Sequence, residues 1–327
     1  MASLLLCASA TFAQTQKSGI DKTNMDTSVK PGDNFWRYSV GGWLDTHPLD
    51  LSEQNEKRIQ ELILNYADSK QEQGSLGQKI GSLYNLVMDS VRLNREGAAP
   101  LKPYLDKIAA VSSRAGYQLL MAQFDYCGIN GLMFSYGCGA DIRNAGYNVV
   151  SVGQGGLGMG SRDYYFNDDE QSTKVRNAYK EYMKKLFKLV GNSDADATKK
   201  MEAVMAIETR IAKVSKAPVE LRDINANYHK MTYGEFIAEY PGIDWGNVFL
   251  QNGFPPFADI VVEQLHEVEK ILAEASLDDL KAYAEKNVLS GAASSLSDDF
   301  RAVAFEFARP HRERSRTVRA GSVPWAR

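Results

Sequence analysis

Histidine and cysteine are scarce in this sequence, with only 4 His and 3 Cys among 327 residues. Zinc centres and thiol nucleophiles draw on these two residue types, so few such sites are possible. The sequence also contains no CxxC pair, no GxSxG elbow and no Walker A loop. No stretch reaches the roughly 20 apolar residues that a membrane-spanning helix needs.

The overall composition is that of an ordinary soluble globular protein. Hydrophobic residues make up 44% and charged residues 24% of the chain, a balance that argues against a disordered chain. The net charge of −3 does not favour a nucleic-acid binder. The length fits one large or two ordinary domains, and it suffices to bury a core without disulfides or metals.

The first 13 residues resemble the second half of a secretory signal peptide. An apolar run ends in Thr11-Phe12-Ala13, whose small residues permit cleavage before Gln14. This pattern predicts a secreted or periplasmic protein. The alternatives are a disordered N-terminal tail and, with less support, a lipid anchor on Cys7, because Leu6 stands where a small residue is wanted.

The last 19 residues, 309–327, differ in composition from the rest of the chain. They contain six Arg, one Glu and no Lys, and they show neither a helical nor a strand period. The helical pattern before them ends at Phe305-Glu306-Phe307. We interpret 309–327 as a basic tail that is either a contact for an anionic partner or, as we favour, an out-of-frame product.

Between these ends the sequence predicts a mainly α, multi-helix lobe with a small β insertion near 127–160. Apolar residues recur at helical spacing in most segments, for example at Val175, Tyr179, Tyr182, Met183 and Leu186. Gly74 and Gly77 are predicted to separate two helices between residues 53 and 89. Alternation at 147–152 indicates a strand. The other predicted helices lie near residues 100, 115–124, 201–211, 233–240, 260–275 and 277–288, with a last helix starting at 297–299.

Two literal motifs lack the context that their chemistry requires. Gly153-Gln154-Gly155-Gly156-Leu157-Gly158 reads GxGxxG, but loop-type sequence follows it instead of a helix and a second strand. We interpret these glycines as permitting tight backbone turns. His266-Glu267 begins like HExxH, yet Lys270 occupies the position of the second histidine. The remaining histidines, His47, His229 and His311, have no partners at ligand spacing.

The other candidate residues have structural explanations. Cys127 and Cys138 could form a disulfide or could be buried free thiols, and the sequence leaves both open. Three carboxylate pairs stand at predicted helix starts, where capping explains them better than acid–base catalysis: Asp168-Asp169, Asp278-Asp279 and Asp298-Asp299. The sequence therefore predicts no catalytic, metal or substrate-binding residue in this chain.

Several ordered stretches resemble a known family. Residues 26–43 contain Pro31-Gly32-Asp33-Asn34-Phe35 and end in Gly-Gly-Trp, which is similar to the opening of the neprilysin and endothelin-converting-enzyme family of zinc metalloendopeptidases. Arg162-Asp163-Tyr164-Tyr165 is similar to that family's Arg-Asp-Tyr-Tyr element. Matching stretches follow in family order at Ile207-Glu208-Thr209, Glu220–Asp223, Asn227–Thr232 and Ile243–Trp245. The resemblance spans roughly residues 26–308.

The resemblance implies two largely helical lobes around a cavity that admits peptides. In the intact family the C-terminal half carries HExxH and a further Glu, which together bind zinc. This sequence does not include that half. The chain would thus be the non-catalytic N-terminal lobe, with residues 51–308 as its helical body and the missing C-terminal lobe as its partner. Residues 14–50 would be an extended strand-and-turn segment packing on the catalytic lobe.

The sequence departs from the family after His47-Pro48-Leu49-Asp50. The family's Arg-Tyr-Gly-x-Phe element, whose Arg binds the substrate carboxylate, is absent there. No substrate-binding residue is therefore carried over. The expected function is the N-terminal part of a secreted zinc-dependent metalloendopeptidase, inactive alone. The alternative is a non-catalytic helical module that binds peptides or a partner chain.

Overall fold

The structure is a computed structural model that describes residues 19–46, 51–129, 133–251, 253, 259–263 and 265–321. For 51–53, 251 and 310–321 it describes the backbone alone. The predicted signal peptide and His47–Asp50 lie outside the described residues. The chain divides into two compact units, a first unit up to Leu86 and a second unit from Val87 to Ser322.

The first unit contains a single 3₁₀ turn, Lys22–Asn24, and helices α1 (Phe35–Thr46), α2 (Leu51–Asp68) and most of α3 (Leu76–Met88) in its described part. The prediction of an extended strand-and-turn segment over 14–50 was wrong for residues 35–46, which are helical. The Asn34 side chain accepts the backbone N–H of Arg37 at 2.9 Å, which satisfies a free donor of the first turn. Asp26 binds Arg37 Nε at 2.9 Å and so ties the preceding loop to α1.

Helices α2 and α3 approach each other closely at two glycines. A Cβ on Gly81 would overlap the backbone oxygen of Tyr66, and one on Gly77 would meet the Tyr66 ring at 3.0 Å. Gly77 therefore lies inside α3 as a packing residue, where the sequence had predicted a helix break. Gly74, with φ +80°, does lie in the connection between the helices.

The second unit contains twelve of the described α-helices. Helices α8, α9 and α14 contribute to its hydrophobic core, and their apolar faces match the predicted 3.6-residue period. The twelve are α4 (Ser90–Glu96), α5 (Lys102–Ala110), α6 (Arg114–Tyr126), α7 (Asp163–Phe166), α8 (Glu170–Leu189), α9 (Asp194–Val214), α10 (Ile224–Asn227), α11 (Tyr233–Glu239), α12 (Trp245–Gln251), α13 (His266–Glu274), α14 (Leu277–Ala292) and α15 (Asp298–Gly321).

A four-stranded mixed sheet lies within the second unit. Its strands are β1 (Phe134–Asp141), β2 (Asn144–Gln154), β3 (Lys230–Met231) and β4 (Ile260–Val262), in the order β1-β2-β4-β3. β1 and β2 form an antiparallel hairpin, β2 and β4 are parallel, and β3 and β4 are antiparallel. The β insertion predicted near 127–160 is confirmed. The helix predicted from 260 was wrong at its start, because 260–262 pair with β2 and α13 begins only at His266.

The hydrophobic core fills the space between α6, α8, α9, α14 and the sheet. Tyr117, Tyr179, Phe187, Tyr283 and Phe300 are among its largest fully buried side chains. Phe307 of α15 stacks on Tyr182 with ring centroids 4.7 Å apart. The α15 backbone continues as a helix to Gly321, beyond the end that the apolar pattern predicts at Phe307.

Candidate functional site

The second unit buries an ion pair between two helices. Glu208 of α9 is fully buried, and Lys286 of α14, which is 4% exposed, donates to its Oε1 at 2.8 Å. Burying a charged pair costs several kcal/mol per ion unless further hydrogen bonds satisfy it. The residues around Glu208 supply those bonds.

Two tyrosines complete the hydrogen bonding of Glu208. Tyr165 donates to Oε2 at 2.6 Å, and Tyr179 donates to Oε1 at 2.9 Å. Burial, together with the negative charge of Glu208, raises the pKa of both phenols. Tyr165 belongs to the Arg-Asp-Tyr-Tyr element, so this element helps to hold the buried carboxylate. Glu208 is thus enclosed by three hydrogen-bond donors, and the pair joins α9 to α14 inside the lobe.

The glycine loop 153–158 packs against this network. Gly156 has φ +79°, and its carbonyl accepts from the Tyr283 hydroxyl at 2.9 Å. A Cβ on Gly158 would overlap the phenol oxygen of Tyr179. These glycines therefore permit a tight turn and a close approach of backbone to tyrosine, as their sequence pattern predicts. α7 and a loop follow Gly158, where a nucleotide-binding fold would place a long helix.

A cavity of about 1050 Å³ opens beside the glycine loop. One wall is a face of α14 that includes Tyr283, Lys286 and Gly291, and another is the beginning of β1. Aromatic and aliphatic side chains share the lining with polar ones. Asp125 and Tyr136, joined by a hydrogen bond, form part of the polar lining.

The HExxH-like segment begins α13 and is occupied by ion pairs. His266 Nδ1 lies 3.2 Å from Glu269 Oε2, and its Nε2 lies 3.1 Å from Glu239 Oε1. Glu267 binds Arg210 Nε at 2.7 Å. With Lys270 in place of a second histidine and with both ring nitrogens facing carboxylates, these residues do not fit a catalytic zinc ion.

The cysteines and the remaining histidines form no metal site in the described residues. Among the described residues, no cluster of three or more His, Cys, Asp or Glu side chains could hold a metal ion. Cys127 and Cys138 are free thiols, and both are exposed, so they are neither the disulfide nor the buried thiols that the sequence left open. His229 contributes its backbone oxygen to Val262 N at 3.0 Å. His47 and the His311 side chain lie outside the described part.

The carboxylate pairs lie at helix N-termini, as predicted. Asp169 caps α8 by accepting from Ser172 N at 2.9 Å. Asp278 and Asp279 lie in the first turn of α14, behind the Ser276 cap, and Asp298 and Asp299 lie in the first turn of α15. Their charges there favour the helix dipole.

Sequence reasoning missed the buried pair and its tyrosines. The position of Glu208 in the sequence could have indicated the pair, because Glu208 lies on the same apolar face of α9 as Val204 and Ile211. A carboxylate on a buried face requires a cation or several donors. Its partner Lys286 is 78 positions further along the chain, a separation that no local pattern bridges.

These features define a mainly helical lobe with a small mixed sheet and a cavity beside its glycine loop. The profile described as Peptidase family M13, specifically its N-terminal region, matches residues 31–322. The chain therefore belongs to peptidase family M13, and its match is to the family's N-terminal part.

Curated and solved relatives agree with this assignment. The chain is 30% identical over 243 residues to mouse endothelin-converting enzyme 1, covering 68% of this chain and 31% of the enzyme. It is 24% identical over 318 residues to mouse endothelin-converting enzyme-like 1, covering 88% of this chain and 40% of that protein. A crystal structure of the Mycobacterium tuberculosis zinc metalloprotease Zmp1 with an inhibitor superposes with a TM-score of 0.75 at 25% identity.

The chain matches less than half of each relative's length. It covers 46% of the Zmp1 chain, while 89% of this chain is matched. The agreement in fold confirms the predicted mainly α lobe of this family. None of the helices in the described part of the chain combines the length and hydropathy of a membrane span.

Proposed function

We propose that this chain is the non-catalytic N-terminal part of a secreted or periplasmic zinc-dependent metalloendopeptidase that acts on peptides. The observation that carries the proposal is the family match over residues 31–322 in a sequence that contains no HExxH. The relatives' names, an endothelin-converting enzyme and a zinc metalloprotease, support the class of reaction. On its own the chain neither binds catalytic zinc nor cleaves peptides.

The HExxH-like site supports the second half of this proposal. His266 is held between two carboxylates and Glu267 is paired with Arg210. In a metallopeptidase, the carboxylate that acts as general base lies next to a metal-bound water. The Glu267 carboxylate lies next to the Arg210 guanidinium instead. The zinc of the intact family therefore has no counterpart in α13, and we assign this chain no cofactor of its own.

The DNA downstream of the Phe307 codon provides the first test. We expect one of its reading frames to encode HExxH, and joining that frame to residues 14–307 should yield an enzyme. This product should cleave an internally quenched peptide in the presence of zinc and lose activity with a chelator. The absence of HExxH from every frame would contradict the out-of-frame interpretation of 309–327.

Export is tested separately. Protein recovered from the periplasm or the medium of the native organism should begin at Gln14 when its N-terminus is sequenced. Retention of an unprocessed chain in the cytoplasm would contradict the signal-peptide assignment.

A second candidate function is a non-catalytic module that captures peptides or a partner chain. The cavity of about 1050 Å³ favours it, because its size matches ligand pockets. This function would be supported if the purified chain is stable and monodisperse and binds peptides. Aggregation and binding of a hydrophobic dye would instead favour a lobe that has lost its covering partner.

A further inference from the structure

Two incompletely bonded donor groups of α14 lie at the wall of the cavity beside the glycine loop, those of Lys286 and Asn287. The Lys286 ammonium has three N–H donors, and among the described residues its only hydrogen-bond acceptor is Glu208 Oε1 at 2.8 Å. The Asn287 amide nitrogen is buried and has no hydrogen-bond partner in the same part of the chain. Because buried polar groups in native proteins are nearly always hydrogen-bonded, these donors need an explanation.

The neighbouring tyrosine, Tyr283, does not satisfy either donor. Lys286 Nζ lies 4.7 Å from the centre of the Tyr283 ring, an electrostatic contact that does not replace an acceptor oxygen. Burial raises the pKa of the Tyr283 hydroxyl, and the nearby Asn287 amide opposes this shift without making a hydrogen bond of normal geometry. The hydroxyl itself donates to the Gly156 carbonyl at 2.9 Å. Both donors therefore remain available to a ligand in the cavity.

The charges around the cavity favour an uncharged ligand. Lys286 and Asp125 are the charged residues among its described lining, and they have opposite signs. The buried Glu208 already balances the Lys286 charge, so no net positive charge remains to attract an anion. An amide group can present its carbonyl to donors and its N–H to a carboxylate. The volume of about 1050 Å³ is sufficient for a ligand larger than one side chain.

We propose that the cavity binds an uncharged ligand through its amide groups, with an amide carbonyl accepting hydrogen bonds from Lys286 and Asn287. A peptide supplies such carbonyls in its main chain, and glutamine or asparagine supplies a further one in its side chain. The proposal rests on the proposed function only for the choice of a peptide as the source of the amides. It adds the place on this chain where the ligand binds and the donors that recognise it.

Asn287→Leu separates binding from stability. Leu has nearly the shape of Asn and removes a buried donor that has no partner, so the melting temperature should stay the same or rise. Asn192→Leu is the matched control. The Asn192 amide lies outside the cavity lining and donates to the Phe187 carbonyl at 2.9 Å, so its loss should lower the melting temperature and leave binding unchanged.

Titration calorimetry of the full chain with a chelator measures binding of three acetylated, amidated hexapeptides. Serine alternates in them with glutamine, alanine or glutamate. We expect the glutamine peptide to bind at least tenfold more tightly than the glutamate peptide. An alanine peptide that binds as well as the glutamine peptide would place the recognised amide in the main chain, and a tenfold weaker one would place it in the side chain. Asn287→Leu should weaken binding of the glutamine peptide at least tenfold, and so should Asn287→Asp, which replaces the donor with an acceptor.

Three results would each overturn the proposal. Failure of all three peptides to bind would assign the two donors to solvent. Equal or tighter binding of the glutamate peptide would show an anion site, and an unchanged affinity in both Asn287 variants would place the peptide elsewhere. Because the assay contains a chelator and measures no cleavage, failure of the joined reading frame to give a peptidase would leave the binding result interpretable, and the reverse also holds.

Discussion

The two units of this chain differ in how they bury apolar side chains. In the second unit, core side chains such as Val175, Phe187 and Tyr283 are completely enclosed. In the described part of the first unit the buried residues are glycines, Gly41, Gly77 and Gly81, while large apolar side chains such as Leu62 and Leu83 are 49% and 61% exposed. Both units form amphipathic helices, but among the described residues the large buried apolar side chains belong to the second unit.

This difference shows that helical pattern and stability are separate properties. Helical periodicity predicts α2 and α3 as well as it predicts α8 and α9, but most helical stability comes from tertiary packing of the apolar face. We expect the second unit to control the cooperative unfolding of the protein.

The largest expected effect is alkaline unfolding of the second unit. Burial raises the pKa of Tyr165, Tyr179, Tyr182 and Tyr283, that of Tyr182 to about 12. Phenols of the unfolded chain titrate near pH 10, so this stabilisation is complete below pH 10. It is lost as the pH rises above 10 towards the raised values. Each such phenol should lower the free energy of unfolding by about 1.4 kcal/mol per pH unit.

Denaturant titrations between pH 9 and 11.5 measure this slope. Tyr182→Phe removes one titrating phenol and should reduce the slope by about 1.4 kcal/mol per pH unit. A free energy of unfolding that stays constant from pH 10 to 11.5 would show that these hydroxyls are accessible in the folded protein.

Lys286→Met should destabilise the protein by about 3–5 kcal/mol, because it leaves the Glu208 charge buried without its cation. Lys200→Met is the matched control. Lys200 binds Glu285 at 2.6 Å but is partly exposed, and the loss of such a pair costs about 1 kcal/mol or less. Urea unfolding compares the two variants. Equal losses would mean that the Glu208–Lys286 pair is hydrated.

Gly158→Ala should cost about 1–3 kcal/mol, the range for overpacking a core. The added methyl group overlaps the Tyr179 hydroxyl, which would have to leave Glu208. Gly234→Ala, in open space on a helix, should stabilise by about 0.5–1 kcal/mol. Thermal melts of the two variants should therefore shift in opposite directions, and a shift in the same direction would argue against the tight contact at Gly158.

The smallest effect is expected for Leu62→Gln and Leu83→Gln in the first unit. Both side chains are about half or more exposed, so each change should alter the free energy of unfolding by no more than about 0.5 kcal/mol. Aggregation at high concentration should fall, because two apolar groups leave the surface. A loss of 2 kcal/mol or more for either variant would show that the chain itself buries this face.

Local patterns were sufficient to predict many of the helices. The apolar faces of α8, α9 and α14 follow the 3.6-residue period, and the caps at Asp169 and Ser276 satisfy the free N–H groups where the sequence places them. Ordered motifs beyond any periodicity carried the family assignment. Neither signal depends on contacts between distant residues.

Long-range pairing accounts for what was missed. β3 and β4 contain two and three residues, too few for an alternating pattern, and β4 pairs with β2 across more than 100 positions. The α1 helix follows a loop motif whose composition suggests turns. The buried pair likewise depends on α9 and α14 packing together, and the cavity depends on α14, β1 and the glycine loop meeting.

Zinc content is the most direct test of the central proposal that this chain alone carries no catalytic centre. The purified chain, incubated with excess zinc and passed through a desalting column, would be analysed for metal and assayed with an internally quenched peptide. We predict far less than one zinc per chain and no cleavage above the rate with chelator. One tightly held zinc per chain together with chelator-sensitive cleavage would contradict the account.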